Sequence, residues 1–206
     1  MSVSRETLIS TYFGERRKEV ARYAEFLATQ GIERGLIGPK EGEIIWERHI
    51  ANCIPVTTLI SQEVSLLDIG SGAGLPGIVI ALARPDLKVT LLEPLQRRID
   101  FLEEVVAELG IEISVKRGRA ESFKGGFNYV TARAVAPLPK LASVSWHLVM
   151  GGGSLLAMKG ESAAAELEAA RVEAPKIFKK VAKSEVHEIN LGELPLARVI
   201  ELKKAG

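Results

Sequence analysis

The chain has 206 residues, enough for one sizeable domain with a short extension. Apolar residues make up 47% and charged residues 26%, a balance typical of a globular protein and not of a disordered one. The net charge of +1 excludes a uniformly basic nucleic-acid binder, so any affinity for nucleic acid must come from local patches. One cysteine, no long apolar run and no signal-like N-terminus lead us to expect a cytoplasmic protein without a disulfide or a membrane span.

The spacing of apolar residues predicts that residues 1–62 form a helical extension. Apolar residues recur at helical spacing over residues 6–28 and again over residues 44–54, with a glycine-rich loop between the two segments. His49 and Cys53 share the apolar face of the second segment. A histidine in that setting is more often a core residue than a catalytic one, and Cys53 has no neighbours at metal-ligand spacing. We therefore predict no metal site.

From residue 63 onward, short apolar strands alternate with amphipathic helices. The predicted strands are residues 66–69, 87–92, 111–115, 127–132, 154–158, 186–189 and 198–202, and the predicted helices are residues 76–83, 95–109, 137–149 and 161–172. This alternation predicts an α/β fold with a mostly parallel sheet and helices on both faces. We expect a single domain over residues 1–206, with its core in residues 63–206. In such sheets, ligands bind outside the carboxyl ends of the strands.

A glycine-rich turn follows the first of these strands. Gly70, Gly72 and Gly74 alternate there, and glycine both permits positive φ and lets a ligand lie against the backbone. The helix after the turn offers free N–H groups to an anion, which suits a phosphate and equally the carboxylate of an amino-acid moiety. A plain strand-to-helix turn without a ligand is the weaker interpretation, because such a turn needs only one glycine and this segment has three.

Two cofactors compete for this turn. Residues 72–77 satisfy the dinucleotide pattern G-x-G-x-x-G, and Glu93 lies about 20 residues further on, where an acid would hold ribose hydroxyls. Asp68, directly before the turn, would repel a pyrophosphate but attract the ammonium group of S-adenosylmethionine (SAM). These residues favour SAM, while a nicotinamide-dependent oxidoreductase stays open as the alternative.

Five segments of the chain keep the order and spacing of one protein family. They are residues 67–77 (LDIGSGAGLPG), 84–86 (RPD), 118–121 (GRAE), 131–138 (TARAVAPL) and 157–160 (AMKG). Together they resemble the ribosomal small-subunit RNA methyltransferase G family over about residues 44–160. The resemblance implies a Rossmann-like class I SAM-dependent methyltransferase with a seven-stranded sheet. It further implies methylation of N7 of guanine-527 in 16S ribosomal RNA, with that RNA or the small subunit as partner and no obligate protein partner.

The resemblance also implies site residues. Carried over position by position, Gly70 and Leu75 line the SAM site, Ala120 and Glu121 contact the adenosine end, and Arg133 lies beside the methyl-transfer site. With the residues argued above, the predicted cofactor set is Asp68, Gly70, Gly72, Leu75, Glu93, Ala120, Glu121 and Arg133. Arg133 is also the predicted catalytic residue, and the sequence leaves open whether it serves SAM or RNA. A SAM-dependent methyltransferase of another substrate remains an alternative.

Overall fold

The computed structural model describes residues 4–206. The strands are β1 (Ser65–Ile69), β2 (Lys88–Glu93), β3 (Ser114–Arg117), β4 (Phe127–Arg133), β5 (Val149–Lys159), β6 (Val181–Ile189) and β7 (Ala197–Lys204). The α-helices are α1 (Arg5–Tyr12), α2 (Arg17–Phe26), α3 (Gly77–Ala83), α4 (Gln96–Leu109), α5 (Leu138–Ser145), α6 (Ala163–Glu173) and α7 (Pro175–Phe178). None of the helices within residues 4–206 is both long and apolar enough to cross a membrane.

The seven strands form one sheet in the order β3-β2-β1-β4-β5-β7-β6. Strands β1 to β5 pair in parallel, and β7 is antiparallel to both β5 and β6. The mostly parallel, seven-stranded α/β fold is therefore confirmed. The strand order reverses between β1 and β4, which is the position where a crevice opens at the carboxyl edge of such a sheet.

Helices cover both faces of the sheet, as the alternating pattern predicts. Because neighbouring residues of a strand point to opposite faces, Leu66 and Leu67 of β1 belong to two different buried clusters. One cluster joins β1 to α2, α3 and α4 and to the other N-terminal segments. The second cluster lies under α5 and α6. The N-terminal segments thus share one hydrophobic core with the sheet.

The N-terminal helices differ from the prediction. A single helix over residues 6–28 is wrong, because α1 ends at Tyr12 and Gly14 adopts φ +49°, which an α-helix cannot accommodate. A 3-10 turn (Gly14–Arg16) leads into α2, which widens into a π-turn at Leu27–Gly31. The predicted helix over residues 44–54 is also wrong as an α-helix. It consists of a π-turn, Ile45–Ile50, flanked by 3-10 turns.

Strand boundaries shift most where the chain contains glycine or a tight turn. Strand β3 begins at Ser114 and not at residue 111, because the N–H of Ile113 donates to the carbonyl of Ile111 in a turn. Strand β5 begins at Val149 and incorporates the glycines of residues 151–153, where its register with β4 shifts. The strand predicted over residues 154–158 is therefore longer, and its first half is irregular.

Candidate active site

The glycine turn joins β1 to α3 at the carboxyl edge of the sheet. Gly70, Gly72 and Gly74 have φ values of +65°, +58° and +96°, so all three occupy backbone conformations that favour glycine. The N–H of Gly70 donates to the carbonyl of Leu92 at 2.8 Å, which ties the turn to the end of β2. The predicted need for positive φ is confirmed by this geometry.

The glycines of this region serve different purposes. A Cβ on Gly72 would have a single neighbour, a main-chain oxygen at 3.8 Å, so this residue borders open space. A Cβ on Gly74 would collide with Ile78, and one on Gly77 would collide with Leu91. Gly77 therefore allows α3 to approach the sheet closely, Gly74 leaves room for a side chain of α3, and Gly72 keeps the surface of the turn clear for a ligand.

Asp68 lies beneath the turn and is fully buried. Its Oδ2 accepts a hydrogen bond from the N–H of Gly77 at 3.0 Å, and its Oδ1 has no hydrogen-bond partner among residues 4–206. Burial raises the pKa of this carboxyl from 3.8 to about 7, against the smaller lowering effect of its hydrogen bonds. A buried carboxylate oxygen without a partner is what an ammonium group of a ligand would satisfy.

Glu93 is also fully buried, at the end of β2. Its Oε2 accepts from the N–H of Gly72 at 3.1 Å, and its Oε1 accepts from the N–H of Leu95 at 3.1 Å. Arg98 approaches Oε2 at 3.5 Å. Glu93 thus closes the glycine turn onto β2, and the remaining lone pairs of its carboxylate are what ribose hydroxyls could use.

A cavity of about 200 Å³ opens beside the turn. Its lining includes three of the predicted cofactor residues, Gly70, Ala120 and Glu121. Leu92 and Val144 supply apolar walls. Asp68 and Glu93 do not line this cavity, but each is buried next to a lining residue of its own strand, and Leu75 is partly buried against the hydrophobic core. The clear surface at Gly72, the unpartnered Asp68 oxygen and this apolar slot together fit a ligand with an amino-acid part and an adenosine part.

A second, larger cavity of about 480 Å³ adjoins the first. Arg133, Lys159 and Arg198 contribute positive charge to its lining. Val135 and Ala136 line both cavities, so the segment after β4 forms the wall between them. The structure therefore places Arg133 in the second cavity, apart from the predicted cofactor residues that line the first.

Arg133 reaches across to the N-terminal extension. Its Nη1 donates to the carbonyl of His49 at 3.3 Å and to Cys53 Sγ at 3.1 Å. Its Nη2 donates to the carbonyl of Arg48 at 3.4 Å and contacts His49 Nδ1 at 3.1 Å. These contacts occupy four of the five guanidinium N–H groups. Among the described residues, none accepts from the Nε–H group, so this group could donate to a ligand.

Lys159 and Glu166 hold the wall between the cavities. Lys159 Nζ donates to the carbonyl of Ala136 at 2.8 Å and pairs with Glu166 at 2.7 Å. Glu166 in turn accepts from the N–H of Leu138 at 3.2 Å. The two residues are seven positions apart and lie on different elements, so the pair is not evident from the sequence.

Sequence reasoning missed two further residues near the site. Tyr23 of α2 is fully buried and donates to the carbonyl of Ala73 at 2.8 Å, so it supports the glycine turn from below. His49 is buried as expected, but it links Glu41 to Arg133 and does not merely pack. A titratable side chain on an otherwise apolar face was the available signal in the case of His49.

Comparison with known proteins identifies the same family that the sequence motifs predict. A family model described as rRNA small subunit methyltransferase G matches residues 16–196. The chain belongs to this family. A curated relative of that name from Kineococcus radiotolerans is 52% identical over 166 residues, which cover 79% of this chain and 65% of the relative. Another from Rhodococcus jostii is 47% identical over 193 residues, which cover 91% of this chain and 84% of the relative.

The structural comparison agrees on the fold. A methyltransferase from Pyrococcus furiosus superposes with a TM-score of 0.63 at 14% identity, covering 94% of this chain and all of the other. Family membership confirms the predicted methyltransferase class, and SAM is the cofactor of this class. The alternative of a nicotinamide-dependent oxidoreductase is therefore wrong. The residues of the predicted site stay predictions, since the comparisons assign no individual residue.

Proposed function

We propose that the protein transfers the methyl group of SAM to N7 of guanine-527 in 16S ribosomal RNA. In this proposal, the RNA or the small ribosomal subunit is its partner in the cytoplasm. The observation that carries the proposal is the pair of adjoining cavities that share Val135 and Ala136 as a wall. One suits an adenosine cofactor, and the other is large enough for a nucleotide and is lined by Arg133, Lys159 and Arg198 together with Glu166.

The cofactor would be held in and beside the first cavity by residues of three segments of the chain. Gly72 offers the clear surface of the turn, Gly70 lines the cavity where Val135 leaves no room for a side chain, and Asp68 offers its unpartnered oxygen to an ammonium group. Glu93 would accept from the ribose hydroxyls, and Ala120 would contact the adenosine end. When bound, SAM supplies a methyl group that its sulfonium already activates.

The second cavity would receive the target nucleotide. RNA readers with sequence specificity commonly take an unpaired base out of a loop, and a cationic rim attracts its phosphates. Arg133 would provide most of that charge, because Lys159 is paired with Glu166 and Arg198 with Glu188. Guanine N7 carries a lone pair and no proton, so the reaction requires no general base. The chain's task is to hold N7 in line with the methyl group, which is catalysis by positioning.

Arg133 would act at the end of β4, in contact with the bound nucleotide. Its side chain lines the acceptor cavity next to the shared wall. With most of its donors bound to the N-terminal extension, it presents a fixed charge to the acceptor side. We therefore assign Arg133 to the RNA and not to SAM.

The test uses labelled SAM and small subunits from cells that lack the modification. We expect one methyl group per subunit, at N7 of guanine-527, detected by chemical cleavage of the RNA at 7-methylguanine. Subunits that carry adenine at this position serve as the matched control and should stay unlabelled. Label at another nucleotide, or none in naked 16S RNA, precursor particles and mature subunits alike, would contradict the proposal.

The assignment of Arg133 has its own test. Arg133→Lys and Arg133→Ala should lower methyl transfer by about 100-fold or more, the loss typical of a misplaced reacting group, while affinity for S-adenosylhomocysteine changes less than threefold, roughly 0.7 kcal/mol. Equal losses of transfer and of affinity would place Arg133 in the cofactor site.

A further inference from the structure

We infer that His49, held in one tautomer by Glu41, is a positioning residue that orients the Arg133 guanidinium for methyl transfer. The inference rests on the proposed role of Arg133 at the acceptor cavity. It assigns a task to a buried histidine and its partly exposed glutamate partner in the N-terminal extension, a part of the chain that precedes the sheet.

The hydrogen-bond geometry determines where the imidazole proton lies. Arg133 Nη2 lies 3.1 Å from His49 Nδ1, and a guanidinium can only donate. His49 Nδ1 must therefore be unprotonated and accept this bond. The proton resides on Nε2, which lies 2.8 Å from Glu41 Oε2 and donates to it. The neutral imidazole thus links a carboxylate to the catalytic arginine with one defined orientation.

This link belongs to a larger set of contacts on one short segment. All four N–H contacts of Arg133 end on Arg48, His49 or Cys53, in the π-turn and the 3-10 turn after it. The carbonyls of Arg48 and His49 and the sulfur of Cys53 could also be reached by a slightly rotated guanidinium. The ring nitrogen is the acceptor whose availability depends on its protonation state, so it distinguishes this orientation from others.

The charges around His49 favour its neutral form. Arg133 faces it from β4, Glu41 faces it from the loop before the π-turn, and Arg48 is its chain neighbour. Burial and the Arg133 charge lower the pKa of His49 below 6.5, and Glu41 only partly offsets them. If His49 becomes protonated, Nδ1–H faces a guanidinium, and the contact must break.

The orientation matters because Arg133 is joined directly to the wall between the two cavities. The next residue, Ala134, has φ +55°, and Val135 and Ala136 after it form that wall. A rotation of Arg133 would therefore move charge at the acceptor cavity close to the wall where methyl transfer takes place. Misplacement by about 1 Å is enough to lower a reaction rate 100-fold.

Two amide variants separate the two ends of the imidazole. In His49→Asn, the amide oxygen lies near the position of Nδ1 and can still accept from Arg133. In His49→Gln, the longer amide reaches the position of Nε2 and keeps a partner for Glu41 but not for Arg133. We expect His49→Gln to lower kcat for small subunits by about 10- to 100-fold with little change in KM. His49→Asn should regain kcat to within about threefold of the wild type, roughly 0.7 kcal/mol. Affinity for S-adenosylhomocysteine should be the same in all three proteins.

The pH dependence of kcat distinguishes a positioning role of His49 from a role in packing alone, because packing alone would not change this dependence. Wild-type kcat should fall as the pH drops below 6.5 and His49 gains a proton, and this fall should be absent in His49→Asn. Identical pH profiles in the two proteins, or wild-type kcat in His49→Gln, would overturn the inference. Loss of kcat in His49→Asn equal to that in His49→Gln would overturn it as well.

A spectroscopic measurement covers the case in which a variant does not fold. The imidazole pKa of His49 in the intact protein, followed by NMR, should rise in Arg133→Met because a neighbouring cation is removed. An unchanged pKa would show that the two groups are not coupled and would overturn the inference. Failure of the proposed function is distinguishable, because it would appear as absent methyl transfer in the wild-type protein while the NMR result stands by itself.

Discussion

Glu93→Gln is expected to loosen the glycine turn without changing the volume of the side chain. Glu93 is fully buried, and its two oxygens accept from the N–H groups of Gly72 and Leu95, each at 3.1 Å. Glutamine keeps one of these oxygens but places an NH₂ group against the other donor. One buried N–H then loses its acceptor, which costs about 1–3 kcal/mol.

This cost should appear both in stability and in cofactor affinity, because the turn borders the cofactor cavity. A loss of about 1.4 kcal/mol corresponds to a tenfold weaker Kd, so S-adenosylhomocysteine should bind about 10- to 100-fold more weakly. The Tm should fall by about 2–4 °C for each kcal/mol lost in a domain of this size. Isothermal calorimetry measures the first quantity, and thermal unfolding without ligand measures the second.

Glu103→Gln is the matched control, since Glu103 is exposed on α4 and its change removes the same charge. It should leave both quantities unchanged. If Glu93→Gln behaves like this control in affinity and in Tm, Glu93 does not hold the turn and the reasoning is refuted. A weaker Kd with an unchanged Tm would instead place the contribution of Glu93 in direct contact with the ligand.

Three further outcomes can be tested in the same way. Gly72→Val should abolish SAM binding in equilibrium dialysis, because φ is +58° there and a branched side chain would fill the clear surface; unchanged affinity would mean that the turn is only structural. Tyr23→Phe removes the 2.8 Å hydrogen bond to a buried carbonyl and should lower the free energy of unfolding by about 1–3 kcal/mol in urea titrations, whereas an unchanged midpoint would contradict the contact. Burial raises the Asp68 pKa from 3.8 to about 7, so the folded chain binds this proton more tightly than the unfolded chain does. The stabilisation is present at low pH and is lost as the pH rises through about 7: from pH 5 to 8 the wild type should lose about 2–3 kcal/mol relative to Asp68→Asn, and parallel profiles would disprove the shift.

Much of the sheet could be predicted because its signals are local. The apolar runs that became β1, β2 and β4 are bounded by residues that end strands, so their limits differ from the prediction by one residue or so. The N-terminal segments were less predictable. Their apolar spacing resembles one continuous helix, and only the packing against the sheet shows that the chain breaks at Gly14 and winds as a π-turn at Ile45–Ile50.

The candidate site likewise contains some features that the sequence predicts and others that only the structure shows. Gly70 and Gly72 could be recognised from the sequence, because positive φ beside a ligand leaves glycine as the favoured residue. The sequence could not reveal that Glu93 closes the turn through Gly72, since the two residues are 21 positions apart. Nor could it separate Arg133 from the cofactor residues, because its cavity exists only where β4, β5 and β7 meet.

The sequence by itself determined the α/β alternation, the glycine turn and the membership of a methyltransferase family, all of which are written in neighbouring residues. Only the tertiary structure decided what surrounds that turn and which side chains hold Arg133. His49 and Arg133 are 84 positions apart, and Tyr23 and Ala73 are 50 apart. Contacts at such separations depend on how helices and strands pack, and no periodicity in the chain encodes them.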